Sequence, residues 1–157
     1  MNQVDVANKS ARSIMNGLKP DQLELLGLVE AMDVHLHDFG ELHHISCRFE
    51  NSVLNPNIDP EQSLALFRIL QESLNNILKH AMATLVTVKL SNPAGKLVLE
   101  IVDNGVGFDK NQKVRPDAYG LIGMKERIKL IDGIIVVASK KGEGTSVRVE
   151  IPYEYPS

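Results

Sequence analysis

A chain of 157 residues can bury one substantial hydrophobic core unaided, and its single cysteine, Cys47, excludes an internal disulfide and reads as core filler rather than nucleophile. Seventeen basic and twenty acidic side chains leave a formal charge of -3, so no basic field exists to hold nucleic acid nonspecifically. There is no run of about 18 apolar residues and no basic start leading into an apolar stretch, which predicts a soluble domain.

Residues 2–17 read as a helix ending near Gly17, and Leu18-Lys19-Pro20 as a break before a second helix from about Asp21 to His43. Leu23, Leu26, Val29, Met32 and Leu36 recur at helical spacing and predict a buried stripe. "ISCRFE" alternates like a strand, and "NPNIDPEQ" supplies a helix start with Asp59 as N-cap and Pro60 in the first helical position. The third helix, about Pro60 to Ala81, sorts its side chains by face. At about 100° per residue, Phe67, Leu70, Leu74, Ile77, Leu78 and Ala81 share one band, and Glu72, Asn76 and Lys79 lie opposite. "LVTVKL" and "KLVLEIVD" then form a hairpin across "SNPAG". The polar stretch Asp109 to Tyr119 is too long for a tight turn and suits a lid. "GLIGMKERIKLI" reads as a helix opening on glycine, and "GIIVVAS" with "TSVRVEIP" as a second hairpin across "KKGEG". The order is that of an α+β fold, a two-layer α/β sandwich with one mixed sheet of about five strands covered by helices on one face.

Four clusters can carry chemistry. Glu72 and Asn76 lie one helical turn apart, about 6 Å along the axis, so a carboxylate and an amide point the same way, with Lys79 able to neutralise a phosphate. A magnesium ion that keeps its waters needs only one or two such oxygens; a solvated helix face has the same composition. Asp103 closes a strand before Gly105 and Gly107, where a carboxylate could accept a hydrogen bond from an exocyclic amine and the glycines would let a flat ring approach; "DNG" is equally a turn signal. Gly120 and Gly123 open a helix whose free N–H groups favour an anion, or form a hinge. "GEGT", ending at Thr145, is a fourth site or only a turn.

Taken in order, "ESLNNILKHA", "DNGVGF", "GLIGMKERI" and "GEGTSVRVEIP" resemble the nucleotide-binding boxes of the GHKL ATPase superfamily. They look most like the ATP-binding catalytic domain of sensor histidine kinases of the class that signals to NarL/LuxR-type response regulators. "LKPDQLELLGLVEAM" is similar to the segment that joins dimerisation hairpin to catalytic domain in that class. The resemblance implies a Bergerat fold over residues 20–157, preceded in residues 1–19 by a remnant of the hairpin's second helix and its linker. It implies ATP and Mg2+ as ligands, with Asn76 on the metal, Lys79 and His80 near the phosphates, Asp103 on the adenine amine and Thr145 beside it. Gly105 and Gly107 would permit close approach. Gly120, Leu121, Gly123 and Met124 would cap the triphosphate. Glu72 occupies the position of a general base in relatives that hydrolyse ATP.

The implied reaction is donation of the γ-phosphoryl group to a histidine on a dimerisation domain outside this chain, in a cytoplasmic part of a homodimeric protein that can be membrane-anchored. The implied partners are that acceptor domain and, through it, a NarL/LuxR-type regulator. An ATP-binding interaction module without transfer and an anti-sigma-type serine kinase are the alternatives. His37, followed by Asp38, has the outward form of an acceptor, but a strand begins too soon after it for an acceptor hairpin to follow, so it is expected to be a surface residue without that role.

Overall fold

The computed structural model describes residues 20–53, 56–108 and 118–153. The helix expected over residues 2–17, the boundary near residue 19 and residues 109–117 of the lid expected over Asp109 to Tyr119 lie outside the described residues, while Ala118 and Tyr119 belong to a helix. Two helices, α1 (Pro20–Leu26) and α2 (Leu28–His43), stand where the sequence predicts one. The break is Gly27, whose φ of 83° is left-handed; its N–H closes α1 on the Leu23 carbonyl while its own carbonyl accepts from Ala31. That break also turns the stripe. Leu23, Leu28, Ala31, Met32, Leu36 and Phe39 are buried, whereas Leu26, assigned to the stripe, is 40% exposed.

Strand β1 (Ser46–Asn51) leads to α3 (Pro60–Asn76), which opens as expected on Asp59. Asp59 Oδ1 accepts from the Gln62 N–H at 2.8 Å and Gln62 Oε1 accepts from the Asp59 N–H at 3.1 Å, a reciprocal cap with Pro60 following. The helix predicted to run regularly to Ala81 instead widens into a π turn over Ile77–Ala81. A turn bonded i to i+5 rotates each residue through a smaller angle than an α turn, so the apolar band slips. Ile77 and Ala81 stay buried, but Leu78 is 43% exposed, and Leu66 and Ile69 join the buried face.

Strands β2 (Leu85–Ser91) and β3 (Lys96–Asp103) form the first hairpin. Helix α4 (Ala118–Leu130) and the hairpin β4 (Ile134–Ser139) and β5 (Thr145–Pro152) complete the chain. The five-stranded sheet has the order β1-β2-β3-β5-β4, with β1 parallel to β2 and the other neighbours antiparallel. Alternation makes one side of it apolar. Phe49, Val88, Ile101, Val147 and Val137 are paired in register across all five strands and belong to the single core cluster with α2, α3 and α4. The opposite side pairs Glu50, Lys89, Glu100 and Arg148, with ion pairs from Lys89 to Glu50 at 3.5 Å and from Arg148 to Glu100 at 2.7 Å. Cys47 is half-buried against the core, where burial pushes its thiol pKa up, the behaviour of packing rather than of a nucleophile.

Two substitutions test this architecture by urea unfolding. Leu99, fully buried in β3, should lose about 3 kcal/mol as Leu99→Ala. Gly27→Ala should lose about 1 kcal/mol although no atom lies within 4 Å of the added methyl, because the cost is the left-handed backbone alone.

Candidate functional site

The core-facing row nearest the end of β3 changes from apolar to polar. In register it reads Cys47, Val86, Asp103, Thr145 and Ser139. Asp103 is only 5% exposed. Its Oδ1 accepts from the Gly105 N–H at 2.8 Å, and the Thr145 N–H also donates to the carboxylate. Burial pushes the Asp103 pKa above its ordinary value, and those two donors pull it back in part. An acid held this way keeps lone-pair capacity for one more donor, such as an exocyclic amine. Thr145 Oγ1 lies 2.8 Å from Ser139 Oγ, which accepts from the Phe108 N–H at 2.8 Å. Ser139 thus joins the root of the 109–117 segment to the neighbour of Asp103. It was not singled out from the sequence, although the hairpin register that pairs Ser139 with Thr145 carries the signal.

Gly105 and Gly107 are each required by the packing of the chain itself. A methyl at Gly105 would collide with the Ala81 carbonyl, to which the Val106 N–H donates at 2.7 Å. Gly107 has a φ of 64° and faces the Lys140 and Gly144 carbonyls. The close approach is therefore of backbone to backbone, pinning the end of β3 between the π turn and the β4–β5 turn. Asn104, also missed, ties the same point to β2: its Oδ1 accepts from the Thr84 and Leu85 N–H groups, each at 2.9 Å.

The second cluster forms where α3 meets α4. A methyl at Gly120 would collide with Glu72 Oε1 and lie 3.5 Å from Asn76 Nδ2, so Glu72, Asn76 and Gly120 are brought together. Helix α4 is described from Ala118 and carries Gly120 and Gly123 three residues apart near that end. Met124 is 2% exposed and receives the Ser73 hydroxyl on its sulfur at 3.8 Å, a core contact between α3 and α4. Lys79 and His80 are exposed on the π turn, and the smaller rotation there displaces Lys79 from the stripe shared by Glu72 and Asn76. The side chain of Leu121 lies outside the described residues. His37 is exposed and outside both clusters, while its neighbour His35 is buried.

Residues 61–155 match the family model described as histidine kinase-, DNA gyrase B- and HSP90-like ATPase, and the chain belongs to that family. It is 35% identical over 141 residues to the signal transduction histidine-protein kinase/phosphatase DegS of Brevibacillus brevis, covering 90% of this chain and 36% of DegS. Against the sensor histidine kinase LiaS of Bacillus subtilis (strain 168) it is 34% identical over 148 residues, covering 93% of this chain and 40% of LiaS. The chain thus spans less than half the length of these curated relatives. Among solved structures, the histidine kinase domain of the Erythrobacter litoralis EL346 blue-light activated histidine kinase superposes with a TM-score of 0.67 at 17% identity, over 80% of this chain and 61% of that one, a likeness of fold.

Asp103 makes a signed prediction. Because its folded pKa is raised, the native state binds the extra proton, and stability should fall as pH rises from the ordinary aspartate value of about 3.9 through the raised folded value. Glu150, held low by Arg148 and Lys96, slopes the opposite way. The difference between wild type and Asp103→Asn in chemical unfolding across pH isolates the Asp103 contribution.

Proposed function

We propose that this chain is the ATP·Mg-binding catalytic domain of a two-component sensor histidine kinase, donating the γ-phosphoryl of ATP to a histidine on a dimerisation domain outside the chain. The observation that carries the reading is the buried Asp103 carboxylate, braced by the Gly105 and Thr145 N–H groups, at the end of the polar row. A fixed buried acceptor of that kind selects a base with an exocyclic amine, because a partner lacking the donor would leave the carboxylate's remaining lone pairs unmatched. The kinase names of DegS and LiaS support phosphoryl donation, and the resemblance of "LKPDQLELLGLVEAM" supports a NarL/LuxR-type regulator reached by way of the acceptor domain.

Asn76 and Glu72, beside Gly120, fit a magnesium ion. They offer hard oxygen donors, and among the described residues no group of three or more His, Cys, Asp or Glu forms a cage, which matches an ion ligated mostly by water and phosphate. When bound, the ion neutralises phosphate charge. For the chain itself, phosphoryl transfer requires positioning more than covalent chemistry. In this reading Asp103 and Thr145 set the base, the first turn of α4 approaches the triphosphate through Gly120 and Leu121, and Lys79 and His80 approach the phosphates from the π turn. Glu72 orders solvent next to Asn76 or assists proton removal. Met124 serves by seating α4 on Ser73 of α3, and Gly123, with open space at its Cα, leaves room beside the triphosphate. The cytoplasm is the compartment that supplies ATP to such a domain.

Supplying a dimerisation hairpin in trans with γ-labelled ATP and magnesium should place acid-labile label on the hairpin histidine and none on His37. Tight ATP binding without transfer would instead indicate a binding module. Asp103→Asn and Asn76→Ala should each weaken ATP·Mg binding by about tenfold or more, the worth of a hydrogen bond to a charged group, with circular dichroism unchanged.

A further inference from the structure

A second cleft, of about 280 Å³, lies on the helical layer among α2, α3 and α4. It is smaller than the ~300–1,000 Å³ of sites that enclose a whole drug-sized ligand, and its size suits a single side chain. Its inner wall is His35, only 7% exposed, whose ring meets Phe67 edge-on at 5.5 Å and makes no hydrogen bond to any described residue. A buried imidazole in that condition is costly unless something else pairs with it. Burial holds its pKa down, Asp38 opposing weakly, so the ring is neutral and offers one donor and one acceptor.

The rest of the lining supplies charge. Arg127 of α4 is exposed and makes no ion pair or hydrogen bond among the described residues. Arg68 of α3 donates to Gln71 Oε1 at 2.9 Å and pairs with no carboxylate among the described residues. Glu72, the one carboxylate in the wall, has Oε1 against Gly120. Two arginines therefore line the same cleft as a buried imidazole that has no hydrogen-bond partner among the described residues, together with Leu78, which is 43% exposed.

We propose that this cleft is a docking site for a protein partner and takes one aspartate or glutamate side chain from an acidic, partly apolar segment. Arg68 and Arg127 hold the carboxylate, His35 donates to it from below, and Leu78 meets an apolar neighbour on the partner. The exposed leucine beside the charged cleft fits a carboxylate presented on a protein surface. The occupant bridges α3 and α4, the two helices whose contact at Glu72, Asn76 and Gly120 lies in the nucleotide site. Docking and nucleotide binding are therefore coupled, each altering the other by the same factor. The coupling rests on the nucleotide reading above; the docking does not.

The test uses the 157-residue chain and two synthetic helical peptides, one built on Glu and Leu and the other with every Glu replaced by Gln. The Glu peptide should bind about tenfold or more tightly than the Gln peptide, as charge-assisted pairing requires, and should shift the His35 ring and Arg127 guanidinium resonances. Arg68→Glu and Arg127→Glu should each remove that preference while thermal unfolding and the affinity for a fluorescent ATP analogue stay within about twofold. Equal binding of the two peptides, or resonance shifts confined to other surfaces, overturns the proposal. So does free acetate producing the same shifts with no gain from the peptide, which marks a small-anion site. Peptide binding that leaves nucleotide affinity unchanged overturns the coupling. A chain that binds the Glu peptide at this cleft but no nucleotide fails the reading of Asp103 and leaves the docking supported.

Discussion

At the end of β3 the backbone passes between the Ala81 carbonyl on one side and the carbonyls of Lys140 and Gly144 on the other, and there is room there for no Cβ at Gly105 or Gly107. Gly144 in turn packs on the Asp103 carbonyl. Three segments far apart in sequence, the π turn after α3, the β3 end and the β4–β5 turn, are thereby set at van der Waals contact. Hydrogen bonds from Val106 to Ala81 and from Gly142 to Val106 close the junction. A crossing this tight leaves little freedom to its neighbours, because close-packed backbone transmits displacement instead of absorbing it. Asp103 and Thr145 inherit their position from it.

The polar row depends on that junction as well. A carboxylate as buried as Asp103 is tolerated only where donors meet it, and both of its donors, Gly105 and Thr145, belong to the crossing segments. The ion pairs on the open side of the sheet have no such role. They are solvent-screened and contribute to solubility more than to stability. The chemistry and the packing thus meet at one end of the sheet, on its helical side, while α3 connects this end to the Glu72, Asn76 and Gly120 contact. Helix α4, seated by Met124 against Ser73, contributes Gly120 to that contact and Arg127 to the cleft on the helical layer.

Much of this was readable in advance because it is local. The capping box at Asp59 and Gln62, the proline and glycine of the first hairpin turn and the alternation of β2, β3 and β5 each depend on neighbours within a few residues. The order of motifs around Glu72, Asn76, Asp103, Gly120 and Thr145 was readable for the same reason. Gly27 was not, since an isolated glycine in a helical pattern is usually tolerated and only the docking of α2 on β1 and α3 makes the break worthwhile. The π turn was hidden too. An extra residue in a turn leaves no mark on composition, yet it exposes Leu78 and re-aims Lys79.

The amino-acid sequence by itself determined the class of fold, the faces of most elements and the residue types available for nucleotide chemistry, because periodicity, caps and turns are set by short-range sterics and hydrogen bonding. Tertiary structure alone decided what those residues touch. It made Gly105 and Gly107 seats for neighbouring backbone, put Met124 in the core, enlisted Asn104 and Ser139, and gathered His35, Arg68 and Arg127 around one cleft. The physical reason is common to all of these: each is a contact between segments distant in the chain, and such contacts exist only once the sheet and helices have closed on a shared core.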